Sequence, residues 1–213
     1  MSTMENTTMI KENSGRTEKK LNVRNMTVTA MLSAIAYILM FLDTSIPIMP
    51  SFIKLDLSEL PALIASFALG PVYGVIVCLI KNLFSLIGTQ TGGVGELANF
   101  IIGASFVLTA GIIYHTKKTK KRAIIGSIIG AVVMGLITFP AGVYIIYPFY
   151  YNFMPKETII SMYQAIAPGL NLDSIEKCLL IFNVPFTFVK GMLSAIITIF
   201  IYQPLRPLLK GRN

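Results

Sequence analysis

The sequence predicts an all-α integral membrane protein with six transmembrane helices and both termini cytoplasmic. Three observations carry that reading. Of the 213 residues, 54% are hydrophobic and only 13% charged, against about 25% charged in soluble domains, and the mean hydropathy is +0.69. The apolar residues fall in continuous runs rather than alternating, which favours helices over a membrane barrel. The basic residues are grouped. Five precede the first apolar run (Lys11, Arg16, Lys19, Lys20, Arg24), five follow the fourth helix (Lys117, Lys118, Lys120, Lys121, Arg122), and Arg206, Lys210 and Arg212 end the chain. Six spans put all three groups on one side, which the positive-inside rule makes cytoplasmic. Seven of the ten acids (Asp43, Asp56, Glu59, Glu96, Glu157, Asp173, Glu176) then fall at the opposite face.

The elements follow from the apolar runs and their breakers. Residues 1–24, rich in Thr, Asn, Glu and Lys, form a disordered basic cytoplasmic tail. The membrane domain runs from 25 to 205, and residues 206–213 form a second basic tail. The first helix covers Asn25–Leu42; a polar tail of more than 20 residues precedes it and no small-residue cleavage site follows, so it reads as a retained helix. A long outer loop, Asp43–Asp56, carries Pro47 and Pro50. Helices at Leu57–Leu69 and Val72–Ile87 flank a Gly70-Pro71 turn, and both are short for full spans. The Gly-rich loop GTQTGGVG (Gly88–Gly95) leads to a helix at Glu96–His115. The fifth helix, Ala123–Tyr147, is kinked or broken near Pro140 and Gly142. An outer segment, Pro148–Glu176, holds a short amphipathic helix after Pro155, and Lys177–Tyr202 is the sixth helix, kinked at Pro185. Long outer loops of this kind suit a cap over a cavity between helices.

Several chemistries are absent from the sequence. GxxxxGK[ST] does not occur, so the chain is not expected to hydrolyse ATP itself. The single histidine, His115, stands at a helix end beside lysines, and HExxH is absent, which argues against a zinc protease. Cys78 and Cys178 lie in or at the end of apolar runs and read as buried small residues rather than a disulfide framework. No nucleophile, base and orienter stand together, so no enzyme is expected and no metal or catalytic residue is assigned. The basic clusters suit lipid headgroups or an acidic partner rather than nucleic acid.

What stands out instead is polarity inside apolar helices. Lys190 lies near the middle of the sixth helix, and Lys81 with Asn82 inside the third. A charge at that depth costs about 2.5–3.5 kcal/mol on insertion scales, so something must offset it. An acid or carbonyl partner inside the bundle and a ligand in a cavity are both open readings for Lys190; for Lys81 a structural role is favoured. Asn99 and Glu96, at the start of the fourth helix, suit a site wall or a helix cap. Tyr144, Tyr147, Phe149, Tyr150 and Tyr151 form either an interfacial belt or a stacking surface for a flat ligand. Small-xxx-small pairs at Ala30/Ala34, Gly70/Gly74 and Gly126/Gly130 allow close helix approach, within the chain or to another membrane subunit.

Three blocks carry a resemblance. KLDLSELPALIASFALGPVYGVIVCLIKNLFSLI (Lys54–Ile87), GELANFIIGASFV (Gly95–Val107) and PFTFVKGMLSAIITIFIYQPLRPLLK (Pro185–Lys210) resemble the substrate-binding S components of energy-coupling factor (ECF) transporters, most of all the riboflavin-specific members. The likeness covers nearly the whole chain after Val23, with Lys54–Ile87 its most specific part. It implies the S-component fold and vitamin capture at the outer face of a prokaryotic cell membrane. Partners would be a transmembrane coupling subunit (EcfT) and two ATPases, and the S component would topple to deliver its ligand inward. Riboflavin, or a related flavin such as FMN, would be cargo, with no cofactor; another vitamin or a nucleobase-like precursor is the alternative, and an intramembrane enzyme or structural subunit ranks below both. By the same resemblance, Ala30 and Ala34 would contact the coupling subunit. Lys190, Thr187, Asn183, Asn99 and Asp56 would give polar ligand contacts, and Leu55, Tyr144 and Tyr147 apolar or stacking ones. Thr187 and Gly142 stand where riboflavin-specific members carry asparagine.

Overall fold

The computed structural model describes residues 23–89 and 91–210. The proposed N-terminal tail therefore lies outside the described residues except for Val23 and Arg24, which open the first helix, and 211–213 lie outside too.

The described residues form nine α-helices: α1 Val23–Phe41, α2 Glu59–Ala68, α3 Pro71–Ser85, α4 Val94–Thr116, α5 Lys120–Ala141, α6 Tyr147–Tyr150, α7 Lys156–Ile166, α8 Ile175–Cys178 and α9 Val184–Lys210. A π-helical turn, Gly142–Ile146, joins α5 to α6, and a second, Leu179–Asn183, joins α8 to α9. Among the described residues, five stretches are long and apolar enough to cross a bilayer: Val23–Phe41, Pro71–Gly88, Val94–Thr116, Lys120–Tyr150 and Ile175–Tyr202. The remaining predicted helix, Leu57–Leu69, is α2, which has 10 residues and reaches only about 15 Å, half of a typical ~30 Å hydrocarbon core. The last helix runs on to Lys210, into the segment read from sequence as a tail.

α2 is short because both its ends are fixed. Its N-terminal side follows the polar run Asp56-Leu57-Ser58. Its C-terminal side stops at Gly70, whose φ of +133° only glycine adopts easily, and Pro71 then starts α3 at the position proline tolerates best. The hairpin is tight: a Cβ on Gly74 would lie 2.7 Å from the Ser66 Cβ. Nine of the ten α2 residues are buried, so α2 is a central strut rather than a lipid-facing helix.

α4 and α5 pack antiparallel through the small-residue pair predicted for α5. A Cβ on Gly126 would meet the Ala110 carbonyl at 2.7 Å, and one on Gly130 the Phe106 carbonyl at 2.9 Å. α9 crosses α5 where Gly191 lies against Ala131 and Met134. The main core, including Leu63, Phe67, Val77, Phe106, Val107 and Met134, fills the space between α2, α3, α4, α5 and α9. A second cluster forms at the other end, where Ile159 and Tyr163 of α7 pack on Tyr147, Leu172, Ile175, Cys178 and Leu179. This cap contains the short helix expected after Pro155, and a cavity lies beside it.

Both expected kinks are π turns. Pro140 sits inside α5, and the helix widens immediately after it. In the other helix the widening precedes Pro185 by two residues. A proline has no N–H for the regular ladder, and a π turn shifts the bonding pattern around that gap. The two turns face each other, for a Cβ on Gly142 would lie 2.8 Å from both Leu179 methyl groups.

Candidate functional site: a capped cavity with a buried charge ring

A cavity of about 630 Å³ opens between the loop after α1, the start of α4, the two π turns and α9. Asp43, Phe52, Lys54 and Asp56 come from the loop, Thr91, Glu96 and Asn99 from the α4 end, Gly142, Tyr147 and Tyr150 from the first π turn and α6, and Asn183, Thr187 and Lys190 from the last helix. The loop is held in place by a two-residue antiparallel ladder, Thr44 opposite Leu55 and Ser45 opposite Lys54, with Lys54 Nζ 2.9 Å from an Asp43 carboxylate oxygen.

The floor of the cavity resolves the cost of Lys190. Its ammonium donates to Asp56 Oδ2 at 2.9 Å and to Asn99 Oδ1 at 3.3 Å, and lies 3.3 Å from Glu59 Oε2. Lys81 donates to Glu59 Oε1 at 3.2 Å and to the Ser58 hydroxyl. The Ser58 hydroxyl and its backbone N–H both donate to Asp56 Oδ1. The five residues close a ring, Lys190–Asp56–Ser58–Lys81–Glu59, of two cations and two anions, and none is more than 5% exposed. Burial alone would raise the Asp56 carboxyl, but Lys190 and then Lys81 outweigh it and hold the group well below the usual carboxylate range.

Sequence reading placed Asp56 and Glu59 at the outer face with the other acids. The structure buries both as counter-charges to Lys190 and Lys81. Lys190 thus has the acid partner of one reading while still lining the cavity of the other.

A second network supports the cap. Asn183 donates from Nδ2 to the Tyr147 hydroxyl at 3.3 Å, and Tyr163 donates to Asn183 Oδ1 at 2.8 Å. The two tyrosine oxygens are 2.6 Å apart. With those roles, Tyr147 donates to Tyr163 and the three side chains form a closed ring of hydrogen bonds. Burial pushes the Tyr163 hydroxyl far above its usual range, so it stays protonated and able to donate.

Asp56, Asn99, Gly142, Tyr147, Asn183, Thr187 and Lys190 all line the cavity. Tyr144 does not: it is 78% exposed, as an interfacial aromatic would be. Leu55 is also outside the lining, between Lys54 and Asp56, which are in it; neighbouring side chains alternate along an extended chain. Aromatic lining residues that the sequence did not single out include Phe52 and Phe186, whereas Tyr150, one of the aromatics read as a belt or a stacking surface, does line the cavity. Phe52 and Tyr150 stack with ring centroids 5.5 Å apart, and only the cluster of aromatics around Tyr150 hinted at this. Among the described residues no group of His, Cys, Asp and Glu is arranged to hold a metal.

A multi-pass helical protein with a polar-floored cavity under an outer cap has the form of a membrane solute-binding protein. Residues 24–202 match the family described as ECF transporter, substrate-specific component, and the chain belongs to that family. It is 36% identical over 195 residues to the riboflavin transporter RibU of Staphylococcus aureus (strain TCH60), covering 90% of this chain and 97% of the relative. It is 28% identical over 190 residues to the riboflavin transporter FmnP of Bacillus subtilis (strain 168), covering 88% and 94%. A solved S component of a bacterial ECF transporter superposes with a TM-score of 0.70 at 34% identity, covering 87% of this chain and 97% of that one. These relatives are transport proteins, and the chain is a transport component rather than an enzyme.

Proposed function

We propose that this chain is the riboflavin-binding S component of a vitamin importer in a prokaryotic cell membrane. The observation that carries the ligand is the cavity. Its volume of about 630 Å³ falls within the ~300–1,000 Å³ typical of small-molecule sites. It offers aromatic faces from Phe52, Tyr147 and Tyr150 for a flat ring system, and polar edge partners from Lys190, Thr187, Asn99 and Asn183. A flavin presents that combination: an extended aromatic ring, carbonyl and N–H groups at one edge, and a hydroxylated tail. The match to riboflavin transporters over nearly the full chain supports the same reading.

In this reading, the chain crosses the membrane with both termini cytoplasmic, and α2 and α3 together serve as a shortened hairpin. A transmembrane coupling subunit and two ATPases supply the energy. Ala30 and Ala34 support the coupling role, for both are exposed on α1, whereas the other two small-residue pairs are used up in internal packing. The chain contributes binding and orientation; ATP hydrolysis belongs to the partners. Titrating the purified chain with riboflavin, without ATP, and following the quenching of flavin fluorescence tests the proposal. Saturable binding is expected, and its absence would overturn the ligand assignment.

A further inference from the structure

One carboxylate in the cavity is left over once the ion pairs are assigned. Asp43 pairs with Lys54 and Asp56 with Lys190, while Glu59 and Lys81 answer each other behind the floor. Glu96 lines the cavity, is 8% exposed, and has no ion-pair partner among the described residues. Hydroxyls hold it. Thr89 and Thr91 donate to its Oε2 at 3.0 and 3.2 Å, and Ser85 lies 3.5 Å from Oε1.

The surrounding loop is built to aim those donors. Thr89 Oγ1 accepts from the backbone N–H of Thr91 and of Gly93, and Thr91 Oγ1 accepts from Gly95 N–H. Thr89 Oγ1 thus accepts two backbone N–H bonds and Thr91 Oγ1 one, and each hydroxyl donates its proton to Glu96. The φ values of +62° at Gly92 and +89° at Gly93 let the loop fold back into this arrangement. Glu96 also sits in the first turn of α4, where the helix dipole favours a negative charge. A helix cap alone would account for the dipole contact, but it would not require the carboxylate to face a ligand cavity.

We infer that Glu96 is a specificity-determining residue: its unneutralised carboxylate accepts from hydroxyl or N–H groups of an uncharged flavin and disfavours the phosphorylated form. A carboxylate has about four acceptor sites, so the three hydroxyls leave room for a ligand donor. A phosphate brings about −1.5 to −2 charge and only acceptors. Because the lining carries three carboxylates against two ammonium groups (Asp43, Asp56 and Glu96 against Lys54 and Lys190), the excess negative charge acts whichever way the ligand lies. The inference rests on the flavin reading above and names which flavin the site prefers.

The test is calorimetric titration of the full chain with riboflavin and with FMN, for wild type, Glu96→Gln and Glu96→Asp. Wild type should prefer riboflavin. Glu96→Gln should narrow the ratio of the two dissociation constants by about tenfold, chiefly by improving FMN. Glu96→Asp keeps the charge and should keep the preference, which a purely structural role would not predict. An unchanged ratio in Glu96→Gln would overturn the inference. So would equal affinities in wild type, which decides the matter even if Glu96→Gln fails to fold. Binding of neither flavin by wild type would overturn the ligand reading itself, and the inference with it.

Discussion

Lys190 is the residue on which site and stability meet. Its ammonium already has Asp56, Asn99 and Glu59 around it, so a ligand must share or replace one of those partners. Lys190→Met would strand two carboxylates with a single cation, and breaking a buried pair from one side costs about 3–5 kcal/mol. We expect a large drop in thermal midpoint in detergent, partly restored by adding Asp56→Asn, which removes the stranded charge. Riboflavin binding should fail in both, because the lysine contact is gone in both. Recovery of binding along with stability would show that Lys190 does not touch the ligand.

Thr187 offers a gain rather than a loss. It lines the cavity, 7% exposed, at a position where the resemblance expects asparagine. Thr187→Asn adds a second hydrogen-bonding atom and should tighten riboflavin binding by roughly three- to tenfold, the size of one net hydrogen bond. The matching change at Gly142 should not help, because its Cβ would collide with Leu179 across the facing π turns. Equal gains from both substitutions would contradict this account of the cavity wall.

Among the elements, the long helices were legible from their apolar runs, and Pro140, Gly142 and Pro185 marked irregularities whose π-helical form, at Gly142–Ile146 and Leu179–Asn183, the sequence did not show. α2 as a non-spanning strut was only half legible. Its apolar content said membrane, but its burial depends on partners from α3, α4 and α9 that no local pattern reveals. The buried ring was hidden for the same reason: Asp56 and Lys190 are 134 positions apart, and each alone reads as an expensive charge. Leu55 and Tyr144 lie outside the lining although Lys54, Asp56 and Tyr147 are in it, because side-chain facing depends on how the segment packs. The close helix contacts can be checked directly. Gly126→Ala puts a methyl group 2.7 Å from the backbone oxygen of Ala110, and overpacking of that kind costs about 1–3 kcal/mol. Gly169→Ala, with nothing within 4 Å, should be neutral. Similar thermal midpoints for the two variants would mean that α4 and α5 are not packed as described.

At the scale of the whole molecule, the proposed function assigns capture and coupling to separate parts of the fold. Ala30 and Ala34 are exposed on one face of α1 and line no part of the cavity, to which α1 contributes Met40 and Phe41 at its C-terminal end. Large side chains at that face should therefore leave binding intact and abolish uptake. Ala30→Trp with Ala34→Trp is expected to bind riboflavin like wild type in detergent and to fail to support growth of a riboflavin auxotroph. Parallel loss of binding would place the face in the site instead.

The central claim is that the cavity holds a flavin. The most direct measurement is the visible absorption spectrum of whatever heat releases from the chain after purification from flavin-replete cells, followed by titration of the emptied protein with riboflavin. The account predicts a yellow compound with the flavin spectrum, released in proportion to protein, and saturable rebinding of riboflavin. A released compound without flavin absorption, from a folded protein that then ignores riboflavin, would contradict it.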